Sequence, residues 1–325
     1  MTALLQIHKM TVSFSRRHST LDAIKDLNLT LNDGETLGLV GESGSGKSLT
    51  SLAIMDLQPQ NCQVRAEQLR FNGIDIHSLH KKKRRQLLGN QLAMIFQDPL
   101  TSLNPCLSIG YQMDEVVKKH LHGRRQQRRQ HIASLLEQVG IGHPQTLFSA
   151  YPHQLSGGMC QRIMIAMAIA CEPRLLIADE PTTALDVTIQ DQILKVLRTL
   201  KKKKNLSILL ITHDMGVVAE MADRIAVMYG GRIVEMGPTS EVLSSPYHPY
   251  TQGLLSCLPE MHTASQRRLH TIPGTVSELG HQNQGCQLSP RCQYADQRCR
   301  SLAVSPYLTK NRMVVCHKPL TGALT

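Results

Sequence analysis

The chain has 325 residues, 41% hydrophobic and 19% charged, which suits one large α/β domain with a smaller appendage and excludes wholesale disorder. With 36 Lys and Arg against 25 Asp and Glu, its formal charge of +11 points to an anionic partner, whether phosphate, nucleic acid or a phospholipid surface. The longest apolar run, residues 163–171, is far shorter than the roughly 20 residues a membrane-spanning helix requires, which excludes such a helix.

The first residues, Met1-Thr2-Ala3-Leu4-Leu5-Gln6-Ile7-His8-Lys9, carry neither a basic leader nor an apolar signal core, so a cytosolic chain is expected. Residues 5–31 alternate apolar and polar side chains, as in Met10-Thr11-Val12-Ser13-Phe14 and Leu27-Asn28-Leu29-Thr30-Leu31. That period predicts half-exposed antiparallel strands flanking a core. A buried-strand run, Thr36-Leu37-Gly38-Leu39-Val40, then leads into Gly41-Glu42-Ser43-Gly44-Ser45-Gly46-Lys47-Ser48, which satisfies G-x-x-x-x-G-K-[ST] at every required position. The glycines let the backbone turn its N–H groups inward on phosphates, Lys47 adds a point charge for the β- and γ-phosphates, and the Ser48 hydroxyl suits Mg²⁺. Leu49, Leu52 and Ala53 follow at helical spacing, so the phosphates would meet a helix N-terminus.

Between residues 65 and 97 the pattern predicts a short strand, a basic run and a second buried strand, Leu92-Ala93-Met94-Ile95-Phe96, stopping at Gln97-Asp98-Pro99. Residues 109–170 turn helical, with Ile132, Leu135, Leu136 and Val139 in one stripe, and read as an inserted helical subdomain. Parallel-strand signals return in Leu175-Leu176-Ile177-Ala178 and Ser207-Ile208-Leu209-Leu210-Ile211, separated by a helix over about 189–200. Ile225-Ala226-Val227-Met228, the turn Tyr229-Gly230-Gly231 and Arg232-Ile233-Val234-Glu235 predict a hairpin. Past Gly237-Pro238 the composition shifts to Pro, His, Gln and Cys with weak periodicity, which places a boundary near residue 236: a nucleotide-binding domain over 1–236, its helical subdomain at about 100–170, and an extension over 237–325. No internal repeat is found.

Two further stretches bear on chemistry. Asp179 and Glu180 end the apolar strand Leu175-Leu176-Ile177-Ala178, the place where a phosphate-loop enzyme holds its metal. Asp179 is suited to Mg²⁺ through water, and Glu180 to polarising a water that attacks the γ-phosphorus. Leu155-Ser156-Gly157-Gly158-Met159-Cys160-Gln161-Arg162 reads as an N-capped helix start that two glycines open to a phosphate, an anion site without its own lysine.

With this stretch the chain resembles the ATP-binding subunits of ABC transporters, whose L-S-G-G-x signature covers the γ-phosphate of an ATP held by the opposite subunit of a head-to-tail dimer. The resemblance implies a P-loop NTPase core, a RecA-like parallel sheet with an antiparallel β subdomain and an inserted helical subdomain. It further implies that Phe14 stacks on adenine, that Gln97 senses Mg²⁺ and couples to membrane subunits, that Ala184-Leu185-Asp186 is the D-loop working across the dimer, and that His213 contacts the γ-phosphate. Many relatives carry Arg where Cys160 stands, which puts contacts around the signature in doubt but not Ser156, Gly157 or Gly158.

Ser245-Pro246-Tyr247-His248-Pro249-Tyr250-Thr251-Gln252-Gly253-Leu254-Leu255, Ile272-Pro273-Gly274 and the cysteines that follow resemble the C-terminal extension of the oligopeptide/dipeptide (peptide/nickel) importer ATPases. In a reducing compartment the nine cysteines read as thiols or metal ligands rather than disulfides. Cys286, Cys292, Cys299 and Cys316 could supply four thiolates, although their spacing lacks the C-x2-C pairs of structural zinc and fits no ferredoxin run. The family likeness favours a [4Fe–4S] cluster; zinc or unligated thiols stay open, and Cys62, Cys106, Cys160, Cys171 and Cys257 read as packing residues. The resemblance implies two membrane permease subunits, a second, paralogous ATP-binding subunit, an extracytoplasmic peptide-binding protein, and a peripheral place on the cytoplasmic face of the membrane. Nickel and antimicrobial-peptide cargo remain alternatives to peptides, and a soluble ABC-type ATPase acting on nucleic acid or ribosomes is the alternative from another class. Three basic clusters, Lys81-Lys82-Lys83-Arg84-Arg85, Arg124-Arg125 with Arg128-Arg129, and Lys201-Lys202-Lys203-Lys204, have no interleaved aromatics. They read as solvated helix faces or lipid-facing charge, and no nucleic-acid partner is expected.

Overall fold

The computed structural model describes residues 2–15, 19–121, 123–183, 185–257, 272–274 and 285–320. The chain divides into two compact units. One comprises Met1–Leu4, Asn32–Glu35 and Asp75–Leu209, and the other Leu5–Leu31, Thr36–Ile74 and Leu210–Thr325.

In the second unit the alternating N-terminal text folds as two long strands, Ala3–Ser15 and Thr20–Asn32, neighbours in one sheet. Short strands at Cys62–Arg65 and Gln68–Phe71 pair antiparallel with the first, in the registers Phe14 to Cys62 and Leu5 to Phe71. The phosphate-loop strand Thr36–Val40 is buried at every position, as a strand covered on both faces must be. It runs parallel to Arg224–Tyr229, which turns back antiparallel into Arg232–Pro238 as the hairpin pattern requires. Gly230 and Gly231 take φ of 53° and 79° in that turn, and a Cβ on Gly231 would stand 2.1 Å from the Ala23 carbonyl oxygen.

Among the described residues beyond 236 are short helices, Thr239–Ser244, Pro249–Ser256 and Gln297–Ser301, and two two-residue strands. Met313–Val314 pairs with Arg232–Pro238, and Tyr307–Leu308 pairs with Met313–Val314. Tyr250, Leu255 and Leu288 share a buried cluster with Val40, Val218, Ile225, Val227, Tyr229 and Val234. Each large apolar side chain so buried contributes roughly 1.5–3 kcal/mol. The change of composition near residue 236 therefore falls within a shared hydrophobic core.

In the first unit, Leu92–Ile95 and Leu175–Asp179 run parallel, and the strand Ser207–Thr212 begins there. The helices Ile109–His120, Arg125–Gln138 and Gly157–Ala168 occupy the span expected to be helical. Ile132, Leu135, Leu136 and Val139 are all buried, so the stripe faces the core. The helix expected over about 189–200 is longer, Val187–Lys204, because Asp186 caps its start and Asn205, in the left-handed region, ends it. The basic clusters lie on helices: Lys81–Leu87, Arg125–Gln138 and the last turn of Val187–Lys204, where cations oppose the negative end of the helix dipole.

Candidate functional site

The phosphate loop is shaped by backbone that only glycine tolerates. Gly41 sits where a Cβ would meet the Met228 carbonyl oxygen at 2.2 Å, and Gly46 caps the helix Lys47–Ile54 at φ 107°. Lys47 is buried, with Nζ donating to the carbonyl oxygens of Gly41 at 2.8 Å and Glu42 at 3.0 Å. Its ammonium is thus held inside the loop that would receive a triphosphate. Ser45 contributes its carbonyl to the Gly231 N–H at 2.9 Å, while its hydroxyl is buried without a hydrogen-bond partner. An unsatisfied donor beside a glycine cradle fits an anionic oxygen. Ser43 and Gly44 are exposed at the tip, and Ser48 and Leu49 are half-buried on the first helical turn. Phe14 is half-buried on its strand, and His213 is exposed just past the end of Ser207–Thr212. Asp214, next to it, caps the helix Met215–Met221 by accepting from the N–H groups of Gly216 and Val217.

The first unit brings together the other acidic and amide residues singled out in the sequence. Asp179 is buried at the end of its strand, and the next residue, Glu180, takes φ 47°, uncommon for a residue with a Cβ. The turn aims its carboxylate at two donors: Gln97 Nε2 at 3.0 Å and Thr183 Oγ1 at 2.7 Å. Gln161, on the helix that follows the glycine pair, donates to the Pro181 carbonyl at 2.7 Å and so ties that helix to the turn carrying Glu180. Ser156 caps the same helix, accepting from the Met159 N–H. Gly158 admits close approach of the neighbouring helix, since a Cβ there would lie 2.9 Å from Ile189 Cγ2. Cys160, the departure from the signature, is fully buried and directed at the Pro152 carbonyl; burial raises its thiol pKa. Asp186 accepts from the Ile189 N–H as a helix cap. Of the expected D-loop triplet, Ala184 lies outside the described residues.

In the extension, Cys286, Cys292, Cys299 and Cys316 line one small cavity with His248, His317 and Lys318. All are free thiols. Burial pushes Cys286 and Cys292 up and Cys316 to about 11. Four sulfurs around one cavity is a donor set that suits a thiophilic metal group. As placed, however, no three His, Cys, Asp or Glu side chains among the described residues form a group able to hold a metal ion.

Sequence reasoning missed the residues by which the extension grips the phosphate loop. Tyr250 Oη accepts from the Glu42 N–H at 2.8 Å, and Arg291 makes a two-pronged ion pair with the Glu42 carboxylate at 2.9 and 3.1 Å. Neither spacing nor periodicity marks these contacts, because more than 200 residues separate the partners.

A glycine-built phosphate cradle on one buried strand, with an acidic pair and a capped Ser-Gly-Gly helix start elsewhere in the chain, defines a P-loop ATP-binding cassette. The fold agrees: the structure of the dimeric cassette MJ0796 bound to ADP and Pi aligns over 72% of this chain and 98% of its own, with a TM-score of 0.64 at 24% identity. That of cbiO1 from Clostridium perfringens aligns over 75% and 92%, with a TM-score of 0.63 at 25% identity. The ABC transporter family model matches residues 24–183, and the model of the oligopeptide/dipeptide transporter C-terminal region matches residues 234–299. The dipeptide transport ATP-binding protein DppD of Escherichia coli is 50% identical over 99% of this chain and 98% of its own. The oligopeptide transport ATP-binding protein OppD of Bacillus subtilis is 47% identical over 90% and 82%. The chain belongs to the family of dipeptide and oligopeptide ABC transporter ATP-binding proteins.

Proposed function

We propose that this chain is the ATP-hydrolysing subunit of an importer that drives di- or oligopeptides across the cytoplasmic membrane. The observation that supports this most is the likeness to DppD along nearly the whole of both chains, extension included. In this reading the 41–48 loop holds the ATP phosphates, Lys47 neutralises the β- and γ-oxygens, Leu49 begins the helix behind them, and Phe14 stacks on adenine. Ser48, Gln97 and Asp179 would hold Mg²⁺, which when bound offsets charge on the phosphates. Glu180 is the base that orients and deprotonates the attacking water, and His213 contacts the γ-phosphate. Gln97 also donates to the Glu180 carboxylate and helps to orient it.

Ser156, Gly157 and Gly158 serve the nucleotide of a second, paralogous ATP-binding subunit, and Asp186 works across the same interface. The dimeric structure of the MJ0796 cassette supports such a pairing. Two permease subunits would receive the motion through the Gln97 region, with a peptide-binding protein delivering cargo outside. The subunit would sit peripherally on the cytoplasmic face; among the described residues no helix is long and apolar enough to cross a membrane. Residues 1–236 form the nucleotide-binding domain in this scheme and 237–325 the family extension. Cys286, Cys292, Cys299 and Cys316 would hold a [4Fe–4S] cluster, with zinc as the alternative. Such a cluster is a one-electron group or a structural clasp.

The test is reconstitution of the chain with its co-purifying membrane subunits in vesicles. Dipeptide- or oligopeptide-stimulated ATP hydrolysis with uptake of labelled peptide is expected. Stimulation by nickel or an antimicrobial peptide instead would move the cargo assignment, and co-purification of ribosomal proteins or DNA in place of membrane subunits would overturn the reading.

A further inference from the structure

One peptide of the phosphate loop is held from both sides. The Gly41 carbonyl accepts from Lys47 Nζ at 2.8 Å, and the N–H of the same peptide, belonging to Glu42, donates to Tyr250 Oη at 2.8 Å. Because a trans peptide points its C=O and N–H in opposite directions, fixing one fixes the other. The Glu42 side chain is fixed as well, by the paired Nη1 and Nη2 contacts of Arg291.

Both gripping residues are themselves immobilised. Tyr250 is buried, 1% exposed, and packs edge-on against Tyr229 with ring centroids 4.8 Å apart. Arg291 is 7% exposed along its side chain, donates Nε to the Pro273 carbonyl at 2.8 Å, and stands 5.8 Å from the centre of the Tyr229 ring. Arg291 also lies in the turn between Cys286 and Cys292, where its N–H bonds the Leu288 carbonyl at 2.8 Å. A planar guanidinium with two parallel bonds to a carboxylate fixes orientation as well as distance, which a lysine could not do.

We infer that Tyr250 and Arg291 are positioning residues of the nucleotide site: through Glu42 they set the Gly41–Glu42 peptide, and through its carbonyl the place of the Lys47 ammonium. This rests on the reading that the 41–48 loop binds nucleotide phosphates. The extension thereby belongs to the phosphate-binding machinery, although neither residue lies in the 41–48 loop. Releasing either grip lets the peptide rotate, so the lysine loses its preset position and the loop must be ordered anew when the triphosphate arrives.

The experiment uses the full chain, a fluorescent ATP analogue with Mg²⁺, and thermal unfolding in parallel. Arg291→Met, Glu42→Gln and Tyr250→Phe are each expected to weaken analogue binding about tenfold. The double variant Glu42→Gln/Arg291→Met should be no weaker than either single, because both remove the same contact. Arg291→Lys should recover part of the affinity, and in the reconstituted ATPase KM should rise more than kcat falls. Wild-type protein that binds no analogue would overturn the underlying nucleotide reading. Binding within twofold of wild type in Arg291→Met and Tyr250→Phe, whatever their Tm, would overturn the positioning role alone. Tyr250→Phe keeps the buried ring, so it answers the question even where Arg291→Met fails to fold.

Discussion

Gln97 donates its side-chain amide to the Glu180 carboxylate at 3.0 Å, while Thr183 donates to the same Oε2 oxygen at 2.7 Å. A carboxylate so aimed, on a backbone at φ 47°, is held in one orientation by these two donors. Glu180→Gln keeps the shape and removes the carboxylate. ATP turnover is expected to fall by about 10²–10⁴-fold while binding of the Mg²⁺-nucleotide is retained. Steady-state hydrolysis and equilibrium binding, measured side by side, check this; near-normal hydrolysis would remove Glu180 from the role.

Gly41 tolerates no side chain without backbone movement, because its Cβ would stand 2.2 Å from the Met228 carbonyl oxygen. Gly41→Ala should lower the unfolding temperature and abolish nucleotide binding together, whereas Lys47→Ala should abolish binding with a smaller thermal effect. A Gly41→Ala protein with wild-type affinity and Tm would contradict the crowding described.

Glu235 and Arg312 form an ion pair that is buried on both sides, at 0% and 5% side-chain exposure. The carboxylate also accepts from the N–H groups of Tyr247 and His248, and the guanidinium lies over the Tyr247 ring. Removing one partner strands the other charge away from water. Arg312→Met should therefore destabilise the chain by about 3–5 kcal/mol, and Glu235→Gln/Arg312→Met by less. Denaturant unfolding of the two variants decides it; equal losses would mean that the stranded charge is not the cost.

Asp114 accepts from Arg128 through both carboxylate oxygens, at 2.7 and 3.0 Å. The hydrogen bond and charge of Arg128 hold its pKa below the ordinary carboxylate range. A carboxyl whose folded pKa is depressed adds stability above its unfolded pKa of about 3.9 and loses it as pH falls through the folded value. Asp114→Asn should lower Tm at neutral pH by about 1–2 °C and flatten the acid limb of Tm against pH. An unchanged acid limb would show the pair to be thermodynamically silent.

Protein purified without oxygen should contain about four irons and matching sulfide per chain, with Cys292→Ser losing them. Stoichiometric zinc in their place would select the alternative. Neither element by mass analysis would leave the four cysteines as unligated thiols.

The parts of this molecule legible in the sequence are those whose physics is local. Residues 36–48 announce a buried strand, a glycine turn and a helix start because each needs particular residues in immediate succession. The stripe Ile132, Leu135, Leu136 and Val139 announces its buried face through helical period alone. Asp179 and Glu180 could be noticed at a strand end, but the left-handed backbone that turns Glu180 toward Gln97 and Thr183 has no signal in a Glu-Pro dipeptide. The grip of Tyr250 and Arg291 on Glu42 depends on long-range packing, which composition and periodicity do not encode. The basic run at 81–85 was readable as charge, yet its helix Lys81–Leu87 begins at a His80 cap that sequence reading passed over.

The small strand Met313–Val314 zips onto Arg232–Pro238 and is itself covered by Tyr307–Leu308, only two residues long. Without these pieces, the edge of Arg232–Pro238 at Val234, Glu235 and Met236 would offer unpaired peptide groups to any passing strand. A chain cut after residue 238 would present that edge together with the apolar surface that Tyr250, Leu255 and Leu288 cover. The far end of the polypeptide acts as a selvedge, finishing the weave so that one molecule does not unravel into another.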